Sequence, residues 1–285
     1  MEKYHKQVPD TYYEPSENGG TITSFTYNSV RSDNGEPCTK RALVYLPKGY
    51  DQNADAYNVL YLMHGGGGNE EEFLYGQDNQ RALINIIDHM IDSKELDPLV
   101  IVAPTFYYER VVSAGHDISE CGRLTAKWST EFRNDLIPAA ESLYNIRTDR
   151  EGRIFGGFSM GSCTTWRIFT ECLDLVKNFI PLSGDSWIIC EKGGAVYPKE
   201  TVARIAARIK ENNFDSLSYN IFAATGNQDI AFPALDAQIN TMFDDNWNTP
   251  SENRNLRYFT WPEGVHDYKD IYKYMYNLLP DIFNY

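Results

Sequence analysis

The chain has no CxxC pair, no GK[ST] following a glycine run, no N-x-[ST] sequon, and no apolar stretch near the roughly 20 residues that span a bilayer. Each absence removes a class of function. Five cysteines (Cys38, Cys121, Cys163, Cys172 and Cys190) without CxxC spacing exclude a zinc finger or a thioredoxin-type centre and read as buried free thiols, with one disulfide left open by export. Asn28 in NSV and Asn248 in NTP both miss the glycosylation pattern, so sequons give no support to secretion. Basic residues are too few and too scattered for a phosphate-tracking groove: 26 Lys and Arg stand against 40 Asp and Glu, a net charge of -14, which excludes nucleic acid and tilts toward neutral substrates. No EF-hand spacing and no dinucleotide fingerprint appear, so neither a metal nor an organic cofactor is expected. The first segment, MEKYHKQVPDTYYEPSENGG, lacks the apolar core of a signal peptide, so any leader is expected to lie outside this chain.

What remains is a chain rich enough in apolar residues (42%) to fold around a large core, and 285 residues long, which is one large domain or two small ones. After the polar lead of residues 1–20, TITSFTYNSV and RALVYLP alternate or run apolar on either side of RSDNGEPC, a hairpin signal. YNVLYLM and LVIVAPTF are continuous apolar runs of the kind buried on both faces of a sheet, and NQRALINIIDHMIDS between them carries Leu83, Ile86, Ile87 and Met90 at helical spacing. Strands and helices go on alternating to a closing helix from about Tyr268, with no linker or repeat, so residues 21–285 read as one three-layer α/β domain around a mostly parallel sheet. The longest stretch without a clear element is residues 107–129, which suggests a lid or clamp over a site.

The chemistry begins at GFSMG, residues 157–161, where the strand RIFGG gives way to a helical pattern. A serine on such a turn is exposed above the sheet, and the helix behind it aims N–H groups and its positive dipole end at the hydroxyl. Ser159 is therefore the candidate nucleophile. It needs a base. Among five histidines, His5 lies in the polar lead, His89 in a predicted helix and His64 at a strand end, where a structural hydrogen bond is the simpler role. His266, in WPEGVHDY after the last predicted strand, is the candidate base, and His116 in the long loop a substrate-side residue. The orienting acid should follow an earlier strand, which favours Asp229 in TGNQD, with Asp185 in SGDSW as competitor. HGGGGNE, starting at His64, supplies backbone donors for an oxyanion; Gly66 is expected to pair with Met160, the residue after the serine, with Gly65 or Gly67 as the replacement for Gly66.

With the order Ser159, Asp229, His266 in hand, the chain resembles the α/β-hydrolases of the esterase D-like group, and more narrowly carbohydrate esterase family 1, the feruloyl and acetylxylan esterases. The resemblance runs through RALVYLPKGYD, YLMHGGGGNE, FRNDLIPAAESLY, GGFSMG, TGNQD and GVHDY, nearly the whole chain. It implies the α/β-hydrolase fold, the three catalytic roles above and hydrolysis of ester-linked ferulate on plant cell-wall arabinoxylan, with no membrane partner. Acetylxylan esterase activity, or an intracellular esterase or thioesterase such as S-formylglutathione hydrolase, is the alternative within the fold, and a carbohydrate-binding module without turnover the alternative outside enzymes. Tyr107, His116, Trp128, Trp187 and Trp261 are the candidate substrate-binding residues. A wall polymer as substrate implies an extracellular, secreted enzyme and leaves room for partner modules in a larger wall-degrading protein.

Overall fold

A computed structural model describes residues 4–76, 78–108, 117–247 and 255–282. Eight strands form one sheet in the order β1-β2-β4-β3-β5-β6-β7-β8. β1 (Thr21–Val30) and β2 (Pro37–Leu46) are the predicted hairpin, paired antiparallel from Thr21 opposite Leu46 to Val30 opposite Pro37. β2 also runs antiparallel to β4 (Leu99–Ala103), and from there every neighbour is parallel: β3 (Asn58–Met63), β5 (Arg153–Phe158), β6 (Asn178–Leu182), β7 (Asn220–Gly226) and β8 (Leu256–Trp261). The continuous apolar runs are explained by burial on both faces. In β3, Val59, Tyr61 and Met63 enter one core layer while Leu60 and Leu62 enter the other.

Helices cover both faces. α1 (Ala82–Asp92) and the closing helix pack over the layer holding Leu60. On the opposite face lie α2 (Ile118–Glu131), α3 (Ile137–Leu143) and α4 (Met160–Glu171), with the short α5 (Gly193–Val196), α6 (Pro198–Glu211) and α7 (Phe232–Asp244) completing that side. α8 (Tyr268–Leu278) is the closing helix and starts at the predicted residue, because the Asp267 carboxylate caps it by accepting from the Asp270 N–H at 2.9 Å.

The expectation that residues 107–129 hold no regular element is corrected: from Ile118 onward that stretch is α2. Asp117 accepts from the Ser119 N–H at 2.9 Å as its N-cap, and Cys121, Leu124, Thr125 and Trp128 recur at helical spacing on its buried face. α2 packs on α4. It runs into a π-helical turn, Phe132–Leu136, before α3, where Ile137 N–H reaches back to Phe132 O and Pro138, which has no N–H to give, follows at once. Residues 109–116, His116 among them, lie outside the described residues. The polar lead is bound to the body of the fold: Tyr4 donates to Asp281 at 2.7 Å, Tyr12 stacks on His89 at 4.8 Å, and Gly20 N–H donates to Asp88 at 2.8 Å. Among the described residues, no helix is long and apolar enough to cross a membrane.

Candidate active site

The carboxyl ends of β3, β5, β7 and β8 converge, the position at which ligands bind in open α/β sheets. Each end contributes one part.

β5 ends at Phe158, and the next residue, Ser159, sits at φ 57°, ψ −114°, a backbone state that non-glycine residues occupy only under constraint. Two glycines permit it. A Cβ on Gly161 would lie 2.2 Å from Met63 O, and one on Gly157 2.5 Å from Gly161 O, so no other residue lets the strand, turn and helix close on β3. Ser159 N–H donates to Leu182 O at 3.0 Å, tying the turn to β6. α4 begins at Met160, whose N–H belongs to the first turn and has no intrahelical carbonyl to use.

The turn after β8 carries His266. Its Nε2 lies 2.9 Å from Ser159 Oγ and its Nδ1 2.6 Å from Asp229 Oδ1, while the ring rests against Phe158 at 4.6 Å. Asp229, three residues beyond β7, is buried and also accepts from the Ala231 N–H at 2.7 Å on the same oxygen. Asp185 does not meet His266: it lines the smaller lobe of the cavity at Ser159, but its two oxygens accept from Gly194 N–H at 2.7 Å and Trp187 Nε1 at 3.2 Å, and burial raises its pKa.

The glycine run follows β3. Gly65 N–H donates to the Tyr268 hydroxyl at 3.1 Å, Gly67 N–H to the Tyr107 hydroxyl at 2.9 Å, and Gly68 N–H to Gly65 O at 3.2 Å. Among the described residues, these bonds leave the Gly66 amide as the one in the run with no intramolecular acceptor. Next to the run, His64 is buried between Gly65 O, 2.7 Å from Nδ1, and Thr105 Oγ1, 2.8 Å from Nε2. Burial, with a smaller push from the Lys40 ammonium, takes its pKa from 6.5 down to about 4. The ring is thus neutral in the fold but protonates near 6.5 when unfolded, so the stability it contributes is complete above pH 6.5 and is lost as pH falls from there to about 4. The loss is about 3 kcal/mol at pH 4. Urea melts at pH 7 and pH 4 of the wild type and His64→Gln should differ in their pH dependence by that amount; parallel curves would mean that His64 is charged in the fold.

A cavity of about 540 Å³ opens over these groups, lined by Gly65 to Gly68, Glu72, Ile118, Phe158 and Ile230 beside Ser159 and His266. A smaller lobe of about 200 Å³ continues from Ser159 past Met160, Cys163, Trp187, Ala231 and Ala234. Ile118 and Ile230 line both lobes, and Ile230 is 75% exposed. These two were missed in the sequence; the available signal for Ile230 was an apolar residue placed directly after the acid, whereas Ile118 lay in the stretch read as having no element.

Of the predicted substrate contacts, Trp187 lines the small lobe, its ring 3.3 Å from where a Cβ on Gly122 would stand. Trp128 is corrected to a core residue, packed on Phe132 and Phe155 at 5.6 and 5.7 Å because it falls on the inward face of α2. Trp261 is corrected likewise: it is buried on β8 against Tyr274 and His5, and lines neither lobe. Tyr107 also lines neither lobe and is turned to the glycine run. No group of three or more potential metal ligands occurs among the described residues.

The sheet order and its helical layers define the class of the protein as an α/β-hydrolase. A family model described as "Putative esterase" matches residues 36–188, more than half of the chain. The chain is 36% identical over 296 residues to endo-1,4-beta-xylanase Y of Acetivibrio thermocellus, a match that covers 98% of this chain and 25% of that protein. A mutant of the feruloyl esterase module from Clostridium thermocellum, complexed with sinapinate, superposes with a TM-score of 0.82 at 34% identity, covering 98% of this chain and 93% of the module. A ferulic acid esterase of carbohydrate esterase family 1 from Anaeromyces mucronatus shares the fold at a TM-score of 0.69 and 21% identity over 96% of both chains. The chain belongs to the esterase family. It spans about a quarter of the length of the curated relatives it matches.

Proposed function

We propose that this chain is a serine carboxylic-ester hydrolase that releases ferulate, or a related hydroxycinnamate, from feruloylated arabinoxylan and its oligosaccharides. The observation that carries the proposal is the hydrogen-bonded run Asp229, His266, Ser159 opening on a cavity with two lobes that meet at the serine. The small lobe, walled by Trp187, Met160, Ile118 and Ile230, suits a flat phenyl ring, and the larger, more open lobe suits a sugar. Relatives described as a xylanase and as a feruloyl esterase module support the substrate class.

In the mechanism, His266 Nε2 takes the proton of Ser159 Oγ as Oγ bonds to the ester carbonyl carbon. The carbonyl π pair moves to oxygen, where the N–H groups of Gly66 and Met160 donate to it. The π bond re-forms as the sugar alkoxide leaves with the proton from His266. Water then attacks the acyl-serine, giving a proton to the same nitrogen; as the carbonyl re-forms, the bond from carbon to Ser159 Oγ breaks, Oγ takes that proton back from His266, and ferulic acid departs. Asp229 keeps Nδ1 protonated and stabilises the imidazolium in each half. No step needs a metal or an organic cofactor.

Because the polymer lies outside cells, we place the enzyme there, and because the matched region makes up only 25% and 23% of its curated relatives, we place it beside further xylan-degrading modules. The test compares ferulate release from a feruloylated arabinose oligomer with acetate release from acetylated xylan. Burial of the ring in the small lobe predicts a kcat/KM about 10- to 100-fold higher for the feruloyl ester. Faster acetate release would instead make the chain an acetylxylan esterase.

A further inference from the structure

We propose that Tyr107 and Tyr268 are positioning residues of the oxyanion site, their hydroxyls holding the amides on either side of Gly66 so that its N–H, alone in the glycine run, points with that of Met160 at the developing charge. This inference rests on the reading of the glycine run as an oxyanion loop. Four successive glycines carry no side chain that fixes their dihedrals, and Gly67 already sits at φ +77°. A backbone donor stabilises a transition state strongly only when it is preorganised. Here the restraint comes from outside the run. Gly65 N–H is held at 3.1 Å by Tyr268 and Gly67 N–H at 2.9 Å by Tyr107, one residue before and one after the free amide.

Each phenol is itself fixed, and by a different part of the fold. Tyr268, the first residue of α8, stands edge-on to Phe73 at 5.2 Å and Phe158 at 4.9 Å in the core layer under α1 and α8. Tyr107, four residues beyond β4, belongs to the opposite layer, stacks on His64 at 5.7 Å, and has its hydroxyl 3.0 Å from Cys121 Sγ on α2. The loop is therefore clamped from the cores on both faces of the sheet. Burial raises the pKa of both phenols, so each stays a neutral hydroxyl able to accept. Tyr268 also lies two residues after His266, which couples the oxyanion loop and the base to one helix start.

Tyr107→Phe and Tyr268→Phe keep the rings and remove only the acceptors. We expect each to lower kcat about 10-fold on both methyl ferulate and 4-nitrophenyl acetate, because both esters form the same oxyanion. Affinity for an aryl boronic acid, which forms a tetrahedral anionic adduct on Ser159, should fall in parallel. Affinity for ferulate, the ground-state product, should stay within about 2-fold of wild type. Unchanged kcat and boronate affinity in both variants would overturn the proposal. A loss confined to methyl ferulate, with ferulate binding weakened and the acetyl ester spared, would overturn it too, and would make the tyrosines part of the acyl pocket. If instead Ser159→Ala retained full hydrolysis, the reading beneath the proposal would be the part that failed.

Discussion

Ser159→Ala is expected to lower kcat/KM on methyl ferulate by about 10⁴- to 10⁶-fold, with the thermal midpoint within about 2 °C of wild type. The two readouts separate because the substitution removes one atom and nothing else. Alanine keeps the Cβ, so the φ of 57° and its strain persist, the bond from residue 159 N–H to Leu182 O is made by backbone, and α4 still begins at Met160. What disappears is the oxygen 2.9 Å from His266 Nε2. Residual turnover would come from the Gly66 and Met160 amides acting on water-borne attack. Ser159→Gly extends the argument: it should be as inactive but more stable, by about 1 kcal/mol, because glycine occupies positive φ without strain. Equal stability of the glycine and alanine variants would show that the turn stores no strain, and activity surviving in either would remove Ser159 as nucleophile.

The elements that carry the site were legible because they are over-determined in sequence. β3 and β4 are unbroken apolar runs, the hairpin is marked by turn residues, and GFSMG falls where a strand pattern becomes helical, so chain order alone placed Ser159, Asp229 and His266 at three separate strand ends. α2 was hidden for a physical reason. Its amino half, Ile118 to Leu124, reads ISECGRL, with Ser, Glu, Gly and Arg between its three apolar residues, and a cap such as Asp117 is hard to tell from loop composition, so the buried spacing of Cys121, Leu124, Thr125 and Trp128 passed for irregular chain. The same error moved Trp128 to a substrate wall that it does not reach. Aromatic residues in general were poor guides, because a ring near a strand end is equally a ring in a core: Trp261 and Tyr107 look alike in sequence, yet one lies on β8 packed against Tyr274 and the other reaches Gly67. Which amide of HGGGGNE is unclaimed depends on Tyr107 and Tyr268, some 40 and 200 residues away, and no local pattern encodes it.

Asp229→Asn should cost roughly 10²- to 10³-fold in kcat, less than the ~10⁴-fold loss that follows where the asparagine forces the wrong histidine tautomer. The difference comes from Ala231. Its N–H and His266 Nδ1 both address the same oxygen, Asp229 Oδ1, at 2.7 and 2.6 Å. An asparagine that turned its NH₂ toward them would set donor against donor at the Ala231 amide, so the side-chain carbonyl is held in place and Nδ1 of His266 stays protonated. The NH₂ is then left at the Oδ2 position, which is buried and accepts no hydrogen bond among the described residues. Two effects remain: the negative charge that stabilises the imidazolium is gone, and a buried donor is unsatisfied, which costs about 1–3 kcal/mol of stability. The second is seen in urea melts and the first in kcat. Asp229→Ala removes the acceptor as well and should lose about 10⁴-fold, because Nδ1 then has nothing to fix its proton. Asp185→Asn tests the competitor: Asp185 lines the small lobe but accepts from Gly194 and Trp187 rather than from His266, so the asparagine should act through the position of Trp187, raising KM while kcat changes by less than about 10-fold. If Asp185→Asn abolished turnover while Asp229→Asn left it intact, Asp185 would be the acid; if Asp229→Asn fell as far as Asp229→Ala, the Ala231 amide would not be governing the tautomer.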